Sequence, residues 1–263
     1  TWDADDVHRC QVVQALKGHH VLIVMKLFNR SCIKPMGGTG TEALAEVPAV
    51  KGNADAAWID HGHGRNIGIL ASGRGSNLQS IIDSIGKGDL TARVAVVICN
   101  EPGALAVTRA KDHGIPCRVI EHRGATKEEF MDAIDSVLLE HDVDLVVLAG
   151  FMKVLSLEFV SKWRWRIVNI HPSLLPSFPG AHAHRDALAH GVKVTGLTIH
   201  LVDEHVDGGP IIFQYPVDVH EDDTEETLSR RVLIQEHIWY PRVIGWILDG
   251  MVSVEGRIAR VSK

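Results

Sequence analysis

The sequence predicts an α/β fold: a mainly parallel sheet with helices over both faces. Short runs such as residues 66–71, 93–99 and 145–149 are apolar with no helical period, as in strands buried on both sides. Between them lie segments with apolar residues at helical spacing, such as Phe130, Ile134, Val137 and Leu138. Strand and helix alternate in this way along most of the chain, which is the pattern of a parallel sheet covered on both sides. Ligands of such sheets sit beyond the carboxyl ends of the strands, so the loops after strands are where chemistry is sought.

Each element follows in order. Residues 66–71 form the first buried strand, residues 72–76 a tight turn, and residues 77–85 the helix that the turn opens. Residues 93–99 are a second strand, and residues 104–113 a helix that stops at Gly114, ahead of Pro116. A short strand over 117–120 precedes a helix over 126–140, with Thr126 as its cap. Strands are expected over 145–149 and 167–170, then longer ones over 194–202 and 211–219. A helix over 224–248 and a terminal hairpin over 252–261 close the chain. The composition shifts near residue 64. Residues 1–64 hold one short apolar patch, a Gly-rich run over 35–41 and an Ala-rich stretch, without strand–helix alternation. They read as a partly ordered extension, and the start at Thr1 as a processed or truncated product.

Composition bounds the function. A net charge of −6 argues against a broad nonspecific nucleic-acid surface, while leaving room for a local phosphate pocket. The apolar run over 21–28 is interrupted by Lys26 and far short of the roughly 20 residues of a membrane span. It also lies behind Asp3, Asp5 and Asp6, unlike a secretory signal. Cys10, Cys32, Cys99 and Cys117 make neither a disulfide framework nor a CxxC zinc pair, so a reducing cytoplasm is expected.

Three segments carry chemistry. Ser72-Gly73-Arg74-Gly75-Ser76-Asn77 joins a strand to a helix, where glycines and free N–H groups suit an anion. It is neither a Walker loop nor the dinucleotide fingerprint, and a turn that merely needs glycine is an equal reading of it alone. If functional, Gly75, Ser76 and Asn77 hold a monophosphate. Asn169 and His171 lie two apart at the end of a strand, so both face one spot while Ile170 enters the core. An amide donor beside an imidazole suits acyl transfer, the amide stabilising an oxyanion and the imidazole moving a proton. Pro172 and Pro176 stiffen the loop that follows. Asp207, before Gly208-Gly209, supplies a carboxylate that can pair with an imidazole, although Asp-Gly-Gly alone reads better as a turn. With 16 histidines in the chain, any single one is more often structural than catalytic. His61 with His63, and His182 with His184, lack the further ligands of a metal set, so no metal is expected. His200 reads equally as a site residue or a satisfied core histidine.

Taken together, residues 72–79, 149–155, 169–176, 207–210 and 235–237 resemble the phosphoribosylglycinamide formyltransferase family in order and spacing. The resemblance covers residues 65–255 and divides the chain into an extension, 1–64, and a formyltransferase domain, 65–263. It implies a seven-stranded mixed sheet with a nucleotide-binding-like first half. The implied formyl donor is 10-formyltetrahydrofolate and the acceptor is the amine of glycinamide ribonucleotide, with no metal. Asn169, His171 and Asp207 match the catalytic trio. Gly75, Ser76 and Asn77 match the phosphate loop, Pro172 lies beside the acceptor, and Glu236 matches a ribose contact. Met152, Lys153, Val154, Leu155, Val202, Asp203 and Asn169 match the folate-binding walls. Lys153 stands where many relatives carry Arg, and Lys127 lies where some carry another. Lys keeps the charge but not the two-pronged grip on a carboxylate, which bears on the folate tail and not on the reaction.

Relatives sharing the trio read less well. A tRNA formyltransferase needs a further domain, and the stretch after Pro210 is short and the chain acidic. A deformylase is the main alternative, but the extension lacks the strand–helix alternation of its regulatory domain, and the phosphate loop implies a phosphorylated acceptor. An inactive folate- or nucleotide-binding relative would have lost at least one of the trio. Deleting residues 1–60 is expected to leave folding and activity intact; a large drop in Tm would instead show that the extension packs on the domain.

Overall fold

The computed structural model describes residues 57–58 and 64–262 of the chain. Apart from Ala57–Trp58 and Gly64, the extension expected over residues 1–64 lies outside the described residues, as do His61 and His63. In chain order the elements are β1 (Ala57–Trp58), β2 (Asn66–Ala71), α1 (Ser76–Lys87), β3 (Arg93–Cys99) and α2 (Leu105–Asp112). They continue with β4 (Cys117–Val119), α3 (Lys127–Glu140), β5 (Leu145–Leu148), α4 (Leu157–Lys162) and β6 (Ile167–His171). The last are α5 (Ala183–Ala189), β7 (Val194–Leu201), β8 (Ile211–Asp218), α6 (Glu225–Leu248), β9 (Val252–Glu255) and β10 (Ile258–Val261).

The strands form one sheet in the order β1-β9-β10-β8-β7-β6-β5-β2-β3-β4. The expected seven strands, β2 to β8, run together within it. Three short strands extend the β8 edge, so among the described residues the sheet has ten. The expected hairpin over 252–261 supplies two of them. The third, β1, falls in the stretch assigned to the extension and pairs antiparallel with β9; two residues are too few to show a period of two. From β4 to β6 all neighbours are parallel. β7 then runs antiparallel to both β6 and β8.

Alternation along the strands sends side chains into two layers. Ile67, Ile69 and Ala71 of β2 join Leu78 and Ile81 of α1 and Val243, Ile244 and Ile247 of α6. Leu70 joins Phe130, Ile134 and Leu138 of α3, Phe159 of α4 and Trp163 just after it on the other side. Gly68 points to this second layer because a Cβ there would lie 2.5 Å from the Leu138 side chain.

Helix ends follow local rules. Thr126 caps α3 in a reciprocal capping box with Glu129, and Thr224 caps α6. α4 and α5 were not foreseen: six and seven residues long, each is shorter than the span over which helical spacing becomes readable. Ser156 caps α4 through the Phe159 N–H. α6 is tied to the sheet at the buried Tyr240, whose hydroxyl reaches the carbonyls of Leu148 on β5 (2.8 Å) and Val168 on β6 (3.0 Å). Tyr240→Phe is expected to lower stability by about 1 kcal/mol, a Tm decrease of roughly 2–4 °C; an unchanged melting curve would show that the tie is energetically idle.

Candidate active site

The loops after β2, β5 and β6 share one edge because their strands are adjacent and parallel. After β2, Gly75 is the N-cap of α1 with φ 66°, and no side chain caps this helix. The N–H groups of the first turn therefore face outward with the positive end of the helix dipole, a geometry suited to an anion. A Cβ on Gly75 would lie 2.9 Å from Ala106 of α2, so glycine serves both the turn and a close approach. Arg109 holds the loop from behind, donating from Nε to the Arg74 carbonyl and from Nη1 to Gln79. Ser76 is half-buried. Asn77 is buried and donates from Nδ2 to Glu236 Oε2 at 2.8 Å, so two residues far apart in sequence meet at the base of the loop. Burial pushes the Glu236 carboxyl above its ordinary range, with the Asn77 hydrogen bond opposing it.

The expected trio comes together. Asn169 on β6 sits directly opposite His200 on β7, with 3.2 Å between Asn169 Nδ2 and His200 Nε2. His200 Nδ1 donates to the Leu201 carbonyl at 2.9 Å, an acceptor only, so its Nε2 presents a lone pair. That lone pair accepts from the Asn169 amide and leaves the second Nδ2 hydrogen free for another acceptor. His171 is buried; its Nε2 donates to the Phe178 carbonyl at 2.8 Å, and its Nδ1 lies 3.5 Å from Asp207 Oδ2. Asp207 Oδ1 is 3.9 Å from His200 Nε2, and Oδ2 accepts the Gly180 N–H at 2.8 Å. Asp207 adopts φ 52°, a left-handed conformation that Asp tolerates better than most residues. His200 is thus buried and lies beside Asn169 and Asp207, so its two sequence readings are compatible. Pro172 follows His171 directly and is half-buried.

The segment after β5 borders this group, since Leu148 pairs with Asn169. Met152 is 70% and Val154 59% exposed, unusually open for apolar side chains, while Leu155 is buried. Val202 and Asp203 are half-buried, and Asp203 Oδ1 accepts the His205 N–H. Lys153 Nζ donates to His122 Nε2 at 2.9 Å. Lys127 is exposed at the start of α3 and, among the described residues, has no hydrogen bond to the other candidates.

Asn100 had no sequence signal, and the linking role of Ser72 was not readable from the motif that contains it. Ser72 Oγ donates to Asn100 at 2.6 Å and accepts from the Met152 N–H at 2.8 Å, joining the loops after β2, β3 and β5. Only the strand order shows that these loops meet. His182 is the N-cap of α5 and His184 lies in its first turn; among the described residues no three His, Cys, Asp or Glu side chains gather as a metal ligand set.

Burial lowers the His200 pKa from the ordinary 6.5, with Asp207 opposing. The unfolded chain therefore takes up this proton first. The stabilisation is fully present above about pH 6.5 and is lost as pH falls toward the folded value. His184 and His237 are lowered likewise by burial, so the His200 share is read by difference. His200→Gln is expected to lose less stability than the parent between about pH 6.5 and 5 in denaturant titrations; identical pH slopes would mean that His200 charges freely in the fold.

Comparison with known proteins agrees with this geometry. The formyl transferase family model matches residues 65–244. The chain is 41% identical over 199 residues to phosphoribosylglycinamide formyltransferase of Escherichia coli (strain K12), covering 74% of this chain and 92% of that protein. It is 46% identical over 200 residues to the trifunctional purine biosynthetic protein adenosine-3 of Homo sapiens, covering 75% of this chain. The match spans only 20% of that longer protein. The crystal structure of glycinamide ribonucleotide transformylase 1 from Symbiobacterium toebii superposes with a TM-score of 0.75 at 43% identity, covering 77% of this chain and 96% of that one. A lone helix-start loop or a lone Asp-Gly-Gly turn decides nothing; with a family model over most of the chain and a relative matched along nearly its whole length, the chain belongs to the phosphoribosylglycinamide formyltransferase family.

Proposed function

We propose that the chain transfers the formyl group of 10-formyltetrahydrofolate to the amine of glycinamide ribonucleotide. The observation that carries this reading is the meeting of an oriented amide donor, Asn169, with the His171–Asp207 pair, beside an uncapped helix start. That helix start suits the acceptor's phosphate, with Gly75, Ser76 and Asn77 around it and Glu236 beneath for the ribose hydroxyls. The open side chains of Met152 and Val154, with Leu155, Val202 and Asp203, suit a flat ring system with polar edges. Lys153 and Lys127 offer cations to the carboxylate tail.

The two pockets hold the uncharged amine against the formyl carbon, which removes much of the entropic barrier. A new C–N bond forms as the formyl oxygen becomes an oxyanion, and the free Nδ2 hydrogen of Asn169 donates to it. Protonated His171, with Asp207 at its back, offsets the negative charge. Asp207, through a water, takes the proton that the amine sheds. His171 Nε2, turned from the Phe178 carbonyl, gives one to the folate nitrogen as its bond to the formyl carbon breaks. One proton is lost and one gained, so the step balances without a metal or a covalent enzyme intermediate. We place this reaction in the cytoplasm, in keeping with the free thiols Cys99 and Cys117.

The test is tetrahydrofolate release by purified protein with and without glycinamide ribonucleotide. Release that requires the nucleotide is expected; release without it would make the chain a deformylase. Asn169→Ala is expected to reduce turnover about 10²-fold or more, and near-normal turnover would remove Asn169 from the mechanism.

A further inference from the structure

The β9–β10 hairpin stands outside the seven strands that carry the site, yet its turn touches the loop that bears Asp207. Ile258 of β10 pairs with Ile211 of β8, the first residue after that loop. This pairing brings the preceding residue, Arg257, beside the loop, where Nη2 donates to the Gly208 carbonyl at 2.7 Å. Among the described residues, no other side chain from outside residues 203–209 hydrogen-bonds to the backbone of that loop.

The ends and flanks of the loop are tightly held. Leu201 N–H bonds to the Pro210 carbonyl at 2.9 Å and closes its ends. A Cβ on Gly209 would lie 1.9 Å from the Leu201 carbonyl oxygen, and one on Gly208 would lie 2.6 Å from His205 Cβ. Within this frame Asp207 takes its left-handed conformation. The peptide joining Gly208 to Gly209 has no side chains to fix its tilt, and two glycines leave many tilts open. Arg257 fixes one of them. A charge-assisted hydrogen bond at 2.7 Å is strong enough to bias such a choice.

We propose that Arg257 is a positioning residue for Asp207. By gripping the Gly208 carbonyl, it holds the Asp207 carboxylate where it meets both His171 and His200. This inference rests on the proposed formyl transfer, in which Asp207 supports His171 and relays the amine proton. It also gives the terminal hairpin a part in catalysis, although among the described residues no hairpin residue hydrogen-bonds to Asn169, His171 or Asp207. A small misplacement of a catalytic group lowers the rate without weakening substrate binding.

The experiment compares the full chain with Arg257→Met, which keeps the stem without the donor, and Arg257→Lys, which restores one donor. Arg257→Met is expected to lower kcat about tenfold, with KM for glycinamide ribonucleotide within about twofold and Tm within about 2 °C of the parent. Arg257→Lys is expected to recover part of the lost kcat. Amide exchange at Gly208 and Gly209 is expected to quicken in Arg257→Met while the β-strand amides hold. Parental kcat, or parallel changes in kcat, KM and Tm, would overturn the proposal. The exchange measurement stands apart from turnover: an inactive parent would sink the proposed function, whereas unchanged loop exchange in Arg257→Met would sink only the role of Arg257.

Discussion

Opposite Asn169 on the neighbouring strand stands a buried histidine whose one free lone pair fixes which way the amide turns. An amide side chain alone has no preference between its oxygen and nitrogen ends. His200 supplies one, because its other nitrogen is committed to the Leu201 carbonyl. A free Nε2 lone pair belongs to the neutral ring, the form that burial favours. The orientation of Asn169 is thus set by a strand register, Asn169 against His200, and by a desolvated imidazole. A one-residue slip between β6 and β7 would turn Asn169 away from His200, since neighbouring residues on a strand face opposite sides.

The change from parallel to antiparallel at β6 explains why these groups meet. Parallel strands bring the loops after β2, β5 and β6 to one edge. A parallel β7 would present its own start to a different neighbour. Running antiparallel, it lays His200 across from Asn169, and the connection to β8 then doubles back with Asp207 at its bend. Ser72 binds the edge together, since its hydroxyl donates to the loop after β3 and accepts from the loop after β5. The proposed acceptor and donor pockets therefore share a wall that is hydrogen-bonded rather than merely packed.

Much of this was legible in the sequence, for identifiable reasons. β2, β3 and β5 are buried on both faces, so they read as unbroken apolar runs. α3 and α6 announce their starts with capping threonines. Asn169 and His171 were readable because a strand places residues two apart on one side. Other features depend on contacts between distant segments. His200 has no local mark that separates a core histidine from an active-site one. The pairing of Asn77 with Glu236 joins α1 to α6 across most of the chain. The short α4 and α5 lie below the length at which periodicity can be seen. The grip of Arg257 on Gly208 requires knowing that β10 lies beside β8.

The close packing of Gly75 on Ala106 gives the loop after β2 a fixed standoff from α2. Since the gap admits no further carbon atom on Gly75, Ala106 acts as a spacer gauge between helix and loop. The tolerance of this site to change thus extends beyond the residues that touch a ligand, to a helix whose small residue sets how far the loop can retreat.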